Sequence, residues 1–304
     1  MKKIVLLLFL INFITACDKV NNPYPPTNSN LGDANSCDTA VFPAVTAPLR
    51  KVLVEDYTGH KCGNCPKAAE ELKYADSVYA GQVIPLAIHV GYFADPCPPP
   101  PSTLPCRDYT TTAGDEYNTT FYPSAGGLPQ GVINRKVFDA SNGTFQYLVN
   151  YQSHGWTNFI STFINTPPIA YIQIINDFDN STKKLCTSVK SNFLSNLNGN
   201  YRLVVLLTQD SIVDWQVDYR YNPNMIPSYK HQHMLRDAIN GAWGEEIASG
   251  TVNNGTSIIT KYAYNIPNSY KGIAANPQKM HVVAFIYDAT TYEVLQAEDA
   301  KVIQ

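Results

Sequence analysis

The chain has 304 residues, which is long enough for two domains with well-buried cores. Apolar residues make up 44% of the chain and charged residues 15%, a composition that excludes a disordered protein. The formal net charge is −3, so the chain lacks the basic character of a nucleic-acid-binding protein and we expect no nucleic-acid partner.

The N-terminus has the pattern of an export signal that ends at a lipid-attachment cysteine. Lys2 and Lys3 precede an apolar run over 4–14, which is too short to span a membrane. The run ends in Ile-Thr-Ala-Cys, which resembles the lipobox of bacterial lipoproteins. The resemblance implies a signal peptide over 1–16 and a diacylglycerol on Cys17, which attaches the protein to a membrane. A secretory signal with a chance cysteine is the alternative.

The region after the signal predicts a flexible tether in an oxidising compartment. Residues 17–48 are rich in Asn, Pro, Ser and Thr and have no sustained periodicity. Export favours disulfides among the six remaining cysteines. Cys97 and Cys106 flank a short proline-rich loop and are the predicted structural pair. Cys37 and Cys186 either pair or stay free.

Residues 50–90 predict a β-α-β unit built around a Cys-x-x-Cys turn. An apolar strand over 51–57 leads into Cys62-Gly-Asn-Cys65, and Pro66 then opens a helix. Apolar residues recur along this helix at spacings of four, three and four residues, which marks one buried face: Ala68, Leu72, Ala75 and Tyr79. A second apolar strand follows over 83–90, and such units form parallel sheets with right-handed crossovers.

This order of elements provides what disulfide exchange needs. The strand delivers Cys62 to a loop that we expect to be exposed, and Cys65 lies where the helix N-terminus favours a thiolate. A structural disulfide, or a redox site that has lost its activity, is the alternative. Half of a zinc site is a weaker alternative, because no second Cys-x-x-Cys or paired histidine occurs at zinc-finger spacing. We therefore expect no metal and no cofactor.

Residues 50–165 resemble a thioredoxin-fold domain of envelope thiol-disulfide oxidoreductases. The resemblance implies a cis peptide bond at Pro129, which would lie beside the dithiol and present the backbone of Leu128 to a partner. Asp56 precedes Cys62 by six residues, the spacing of the buried thioredoxin carboxylate that exchanges a proton with the second cysteine. A solvated acid at the end of the strand is the alternative for Asp56.

Two features depart from the thioredoxin pattern. Lys61 stands where thioredoxins usually carry tryptophan, although Lys61 and His60 would still favour a thiolate by their charge. Residues 91–127, which are proline-rich and loop-like, form an insert that either shapes a partner site or covers the dithiol.

The second half of the chain predicts an antiparallel sandwich. A helix is expected over 144–163, and Pro167-Pro168 then marks a domain boundary. Short strands separated by Asn, Gly, Ser and Asp turns follow, over 169–176, 185–193, 201–208, 256–263 and 281–287. The segment 229–244 between them is expected to be a helix or an ordered loop. His231 and His233 within it are interpreted as structural or surface residues rather than as metal ligands.

A broader resemblance covers nearly the whole chain. The lipobox, the Cys-x-x-Cys segment, Gly-Leu-Pro-Gln-Gly-Val-Ile-Asn-Arg over 127–135, and His-Met-Leu-Arg-Asp-Ala-Ile-Asn-Gly-Ala-Trp-Gly over 233–244 together resemble one family. It is the family of twenty-eight-kilodalton outer-membrane-protein-related lipoproteins of Bacteroidota-type bacteria. The resemblance implies an outer-membrane location and a thioredoxin-like domain joined to a β-sandwich.

These observations together predict the following organisation. An α/β thioredoxin-like domain over 49–166, with the insert 91–127, precedes an all-β immunoglobulin-like sandwich over 167–304. The predicted function is thiol-disulfide exchange with envelope or surface proteins. The alternative is a non-catalytic binding or adhesion lipoprotein in which Cys62 and Cys65 form a structural disulfide. Burial of the Cys62 sulfur under the insert favours binding, whereas exposure beside Pro129 favours redox chemistry.

Overall fold

The computed structural model describes residues 28–98 and 102–303, so the predicted signal peptide and Cys17 lie outside the described residues. The described chain is mostly β. Within these ranges no helix combines the length and apolar character that crossing a membrane requires.

The elements follow one another along the chain in this order. The first half contains β1 (Leu31–Gly32), β2 (Val52–Thr58), α1 (Cys65–Val78), β3 (Val83–His89), α2 (Thr112–Phe121), β4 (Gln130–Ile133), β5 (Leu148–Val149) and α3 (Gly155–Ile164). The second half begins with β6 (Ala170–Asp179), β7 (Lys184–Phe193), β8 (Leu197–Gln209), β9 (Ile212–Val217), β10 (Met225–His231) and β11 (Met234–Ala238). It continues with β12 (Glu245–Val252), β13 (Ser257–Asn265), β14 (Ser269–Tyr270), β15 (Ile273–Ala274), β16 (Met280–Asp288) and β17 (Val294–Lys301).

The predicted β-α-β unit around the Cys-x-x-Cys turn is present. Strands β2 and β3 pair in parallel over their whole lengths, and every residue of β2 is buried. Such a strand has apolar residues on both faces because the sheet is covered on both sides. Helix α1 begins at Cys65 with Pro66 in its first turn and buries the predicted face of Ala68, Leu72 and Ala75. This packing fixes the helix start directly beyond the end of β2.

One large sheet carries strands from both halves of the chain. Its order is β17-β16-β8-β11-β3-β2-β4-β5, and β12 also pairs with β8. Strands β2, β3, β4 and β5 come from the first predicted domain, whereas the others come from the second. The two groups join where Met234 of β11 pairs with Ala87 of β3. The backbone N–H of Ala87 donates to the carbonyl of His233 at 2.8 Å.

The second half forms two sheets that pack face to face. A four-stranded sheet of order β1-β13-β7-β6 covers the β17-β16-β8 part of the large sheet. Their inner faces share a cluster of buried aliphatic and aromatic side chains, among them Ile172, Val189, Val205, Tyr264 and Val282. All five strands predicted for this half are present, with bounds that differ by a few residues. Buried and more exposed residues alternate along the first part of β6, which has one buried face, whereas most of β8 and β16 is buried on both faces.

A buried ion pair of the first half lies on the opposite face of the large sheet, where it contacts aromatic residues of the second half. Arg135 and Glu55 are both fully buried, and the Arg135 Nη2 donates to Glu55 Oε1 at 2.7 Å. The guanidinium lies over the rings of Tyr117, Phe285 and Trp243, at 4.4, 4.8 and 5.5 Å from their centroids. The segments 127–135 and 233–244, which carry the family resemblance, therefore meet at this cation–π cluster.

Several predicted elements were wrong. The insert 91–127 contains helix α2, whose Tyr117 and Phe121 are fully buried in the core. The helix expected over 144–163 is only α3, because β5 and short 3₁₀ turns precede it. The segment 229–244 is neither helix nor loop alone, since it contains the end of β10 and all of β11.

The described part of the predicted tether is bound to the folded body. Strand β1 pairs with β13, and the Asn28 side chain donates to Asp237 at 3.0 Å. Cys37 and Cys186 form a disulfide, which settles the pairing that the sequence left open. Cys97 and Cys106 form the disulfide predicted for them. A tether that is flexible throughout 17–48 is therefore not what the structure shows.

Candidate functional site

The candidate site begins where β2 ends and α1 starts. Cys62 and Cys65 form a disulfide with their Cα atoms 5.3 Å apart. Each residue is only 2% exposed. The expectation that Cys62 lies in an exposed loop is therefore wrong for this conformation.

The cover over Cys62 is the β9–β10 hairpin and the turn that joins its strands. The backbone N–H of Val217 donates to the His60 carbonyl at 2.8 Å, and that of Tyr219 donates to the Gly63 carbonyl at 3.0 Å. Gln216 Nε2 donates to the Cys62 carbonyl at 3.0 Å. These bonds hold the hairpin along the backbone of the Cys-x-x-Cys turn.

The side chains of the hairpin close the same surface. The ring of Tyr219 lies against Gly63 so closely that a Cβ added there would meet the ring at 2.3 Å. Arg220 forms ion pairs with Glu70 of α1 and with Asp218, at 2.8 and 2.7 Å. The insert contacts the residues before Cys62, where the Phe93 carbonyl accepts from the N–H of Lys61 at 3.0 Å.

Asp56 is buried, as the alternation along the strand predicts. It is 3% exposed, and its Oδ1 has no hydrogen-bond partner among the described residues. Burial raises the pKa of Asp56 to about 7, because a charged carboxylate is poorly solvated there. The group can therefore gain or lose a proton near neutral pH.

Of the two residues predicted to favour a thiolate by their charge, His60 does not do so. Burial lowers the pKa of His60 to about 4, so its imidazole is neutral at physiological pH. Lys61 forms an ion pair with Asp95 at 2.8 Å. The helix N-terminus at Cys65 is therefore the main feature near the disulfide that favours a thiolate.

The predicted cis peptide bond is present between Leu128 and Pro129. Gln130 of β4 pairs with Tyr57 of β2, so buried Pro129 follows this register toward the Cys-x-x-Cys turn. The strand pairing thus brings Pro129 and Asp56 to the same end of the sheet.

A cavity of about 420 Å³ opens beside the disulfide. Helix α1 forms one wall, β10 and the following turn form the other, and β2 and β3 form the floor. Its lining includes Cys65 and Asp56 but not Cys62. His89 and His231 also line it and are 4% and 5% exposed.

Burial lowers the pKa of both histidines, to about 4 for His231 and well below the ordinary value for His89. Both rings are therefore neutral at physiological pH. Neither ring nitrogen of His89 has a partner among the described residues, and the Nε2 of His231 also lacks one there. Within the described chain no three His, Cys, Asp or Glu side chains converge as metal ligands.

Sequence reasoning missed the hairpin residues Gln216 and Tyr219, and it interpreted His231, which lines the cavity, only as a structural or surface residue. Gln216 and Tyr219 lie more than 150 positions from the turn that they cover, and no local pattern indicates such a contact. His89 gave one signal, because it ends an apolar strand that leads to the functional end of the sheet.

Comparison with solved structures gives several matches, of which one has a TM-score above 0.5. HBP35 of Porphyromonas gingivalis matches with a TM-score of 0.55 and 11% identity, over 84% of this chain and 77% of that one. A protein from Agrobacterium tumefaciens matches with a TM-score of 0.45 and 15% identity, over 86% and 97% of the two chains. A domain of the outer membrane lipoprotein Omp28 from Porphyromonas gingivalis matches with a TM-score of 0.31 and 23% identity, over 45% and 90%. No curated protein matches the chain.

The family comparison is more specific. The family model described as outer membrane protein Omp28 matches residues 115–304. The match begins after the Cys-x-x-Cys turn and includes Pro129, the hairpin and the whole second half. It confirms the family resemblance and the outer-membrane location inferred from the sequence. The chain therefore belongs to the Omp28 family of outer membrane proteins.

Proposed function

We propose that this outer membrane protein exchanges thiols and disulfides through Cys62 and Cys65, and that a lipid on Cys17 anchors it. The observation that carries the proposal is Asp56, a buried carboxyl with a pKa of about 7 that lines the same cavity as Cys65. Burying a carboxyl group without hydrogen bonds lowers stability. A proton donor and acceptor with that pKa suits thiol chemistry near neutral pH, whereas a purely structural disulfide has no need of one.

The proposed domain organisation is a thioredoxin-like domain over 49–166 followed by an immunoglobulin-like sandwich over 167–304. The sheet order β3-β2-β4-β5, with α1 and α3 packed together against β2 and α2 in the other core, supports the first assignment. The two face-to-face sheets of the second half support the other. The domains would then share one continuous sheet.

The proposed reaction with a protein substrate follows the roles assigned from the sequence. The Cys62 thiolate attacks a substrate disulfide and forms a mixed disulfide, which the Cys65 thiolate then resolves. Asp56 accepts the proton that Cys65 loses, and the backbone before Pro129 contacts the substrate. Because the hairpin covers Cys62, this route requires the hairpin to move away from the turn.

A second candidate is a binding lipoprotein in which the Cys62–Cys65 disulfide only fixes the start of α1. The burial of Cys62 under the hairpin favours it. Envelope or surface proteins are the proposed partners in either case, as disulfide-bearing substrates in the first and as binding partners in the second.

Trapping separates the two candidates. A Cys65→Ser variant produced in the bacterial envelope is expected to accumulate mixed disulfides with envelope proteins through Cys62. A Cys62→Ser/Cys65→Ser variant is the control and should trap none. The absence of mixed disulfides with the first variant, together with a reduction potential below about −300 mV for the native pair, would establish a structural disulfide.

A further inference from the structure

The cavity reaches only one of the two sulfur-bearing residues. Cys65 lines it, whereas Cys62 lies beneath the hairpin and does not. Gln216 Nε2 also donates to the Gly59 carbonyl at 3.3 Å, so the cover extends along the loop before Cys62. With the hairpin in place, a folded protein is excluded from Cys62, while a small molecule in the cavity lies against Cys65.

The size of the cavity limits what can enter. Pockets that hold small ligands range from about 300 to 1,000 Å³, and the volume of about 420 Å³ lies near the lower end. Helix α1 and strand β10 form two facing walls, so the opening is a cleft rather than a flat surface. A molecule of the size of one to three amino acids fits this space, whereas a folded protein domain does not.

Charged side chains of both signs stand at the rim. Lys73, Asp76 and Lys230 line the cavity and are exposed, and none of them forms an ion pair in the described chain. A ligand that carries both an ammonium and a carboxylate would find partners for each.

The buried floor of the cavity adds uncharged hydrogen-bonding groups. The neutral ring of His89 can donate one hydrogen bond and accept another, whereas His231 has only its Nε2 without a partner in the described chain. Their unpartnered nitrogens and the Asp56 Oδ1 are buried, and such atoms lower stability unless they are satisfied. A polar ligand that enters the cavity would supply these bonds.

From this arrangement we infer that the exchange substrate of the closed form is a small zwitterionic thiol of the amino-acid or short-peptide class, which reacts at Cys65 from the cavity. This inference rests on the proposed exchange function. It deepens that function by naming the substrate class and the sulfur atom that is attacked.

The reaction balances as two successive exchanges. Asp56 takes the proton of the entering thiol, and the thiolate sulfur attacks the Cys65 Sγ, which forms a mixed disulfide and breaks the Cys62–Cys65 bond. Cys62 leaves as a thiolate and takes the proton from Asp56. A second molecule of the same thiol, deprotonated in the same way, attacks the substrate sulfur of the mixed disulfide and releases Cys65, which is then protonated. Two thiols are thereby oxidised to one symmetric disulfide, and the protein disulfide is reduced to a dithiol.

Single-cysteine variants test which sulfur the small molecule reaches. Folded Cys62→Ser, which keeps a Cys65 thiol, is mixed with cystine as the zwitterionic probe and with hydroxyethyl disulfide as the uncharged one. We expect the Cys65 thiol to react with cystine at least tenfold faster than the Cys62 thiol of Cys65→Ser does. We also expect cystine to react faster than hydroxyethyl disulfide, after correction for the intrinsic rates of the two probes with free cysteine.

A cavity-filling variant tests whether cystine reaches Cys65 through the cavity. In the Cys62→Ser background, Ala69→Phe places a large ring in the cavity and should slow the reaction with cystine about tenfold. Ser77→Phe adds the same ring to an exposed position of the same helix outside the cavity and should leave the rate unchanged. Reduction of the unsubstituted protein by cysteine, compared with reduction by a protein dithiol, repeats the comparison without any substitution.

The outcomes separate the inference from the function on which it rests. If Cys62 reacts as fast as Cys65, or if Ala69→Phe has no effect, the inference is overturned while thiol exchange stands. If neither thiol reacts in the folded variants, and both react normally in denaturant, the disulfide is structural and the proposed function fails with it.

Discussion

Asp56 is the titratable group of the site whose pKa lies near neutral pH. Its pKa is raised to about 7 in the folded protein, compared with about 3.9 in an unfolded chain. Between these values the folded state holds a proton that the unfolded state has lost, so this group makes folding less favourable as the pH rises from about 4 to 7. Above pH 7 Asp56 is ionised in both states, so its effect on the free energy of unfolding no longer changes with pH.

Replacement of Asp56 by Asn should therefore stabilise the protein above neutral pH. The expected increase in the free energy of unfolding at pH 8 is on the order of 4 kcal/mol at most, and it should shrink toward zero near pH 4. Urea unfolding of both proteins at a series of pH values measures the difference. A variant that is equally destabilised at every pH would show that Asp56 is not a desolvated acid.

The same substitution should slow thiol exchange. Asn cannot carry the thiol proton, and loss of a general acid-base group typically lowers rates about 10²-fold or more. The rate of disulfide reduction by cysteine near pH 7, followed by mass spectrometry, is the measurement. An unchanged rate in a variant that is more stable would separate Asp56 from the chemistry.

Arg135 and Glu55 form a buried charge pair with a structural role. Replacing Glu55 by Gln leaves the guanidinium of Arg135 uncompensated inside the cation–π cluster. We expect a loss of about 3–5 kcal/mol in the free energy of unfolding. Breaking the exposed pair of Lys136 with Glu293, by a Glu293→Gln change, is the matched control and should cost less than about 1 kcal/mol. Equal losses in the free energy of unfolding for the two substitutions would contradict the structural role of the Arg135–Glu55 pair.

At the scale of elements, the β9–β10 hairpin decides which molecules reach the disulfide. Gln216 donates to the carbonyls of Gly59 and Cys62, and each such bond contributes roughly 0.5–1.5 kcal/mol. In the Cys65→Ser background, Gln216→Ala should therefore raise the reaction rate of Cys62 with a thiol reagent about tenfold. Val213→Ala, at an exposed position of the same strand, is the control and should not change it.

Local pattern predicted some elements well and others poorly, for physical reasons. Strand β2 and helix α1 were predictable because an apolar run and a proline in the first helical turn act locally. Helix α2 has a Gly and three Thr residues, which disfavour helix, and it forms because Tyr117 and Phe121 pack into the core. Strand β11 has little alternation, and its pairing with both β8 and β3 determines its conformation.

The candidate site was also predictable in part, because some of its residues lie near one another in the sequence and others do not. The Cys-x-x-Cys turn and the buried carboxyl lie in or beside the predicted strand β2, so their positions follow from sequence spacing, whereas the cis bond before Pro129 was implied by the thioredoxin resemblance. The position of the hairpin that covers Cys62 does not follow from sequence spacing, because Tyr219 reaches Gly63 only through the tertiary fold. Exposure of a sulfur depends on distant segments, and the chain alone therefore gave the wrong expectation.

At the scale of the whole molecule, the Cys37–Cys186 disulfide holds the N-terminal segment to the sandwich. It joins residues 149 positions apart, and a crosslink across so long a loop restricts the unfolded chain strongly. Replacing both cysteines by Ala should lower the free energy of unfolding by about 2–5 kcal/mol. The reaction of Cys62 and Cys65 with thiols should stay unchanged, since Cys186 lies on β7 of the four-stranded sheet, whereas the Cys-x-x-Cys turn follows β2 of the large sheet.

The three disulfides of one molecule can be compared to test whether Cys62 and Cys65 exchange with thiols. The folded protein is equilibrated in glutathione buffers of graded potential, and the oxidation state of each cysteine pair is read by alkylation and mass spectrometry. We predict that Cys62–Cys65 is reduced at a potential above about −300 mV, while Cys97–Cys106 and Cys37–Cys186 stay oxidised. If Cys62–Cys65 stays oxidised together with the other two pairs, it is a structural disulfide and does not exchange with thiols.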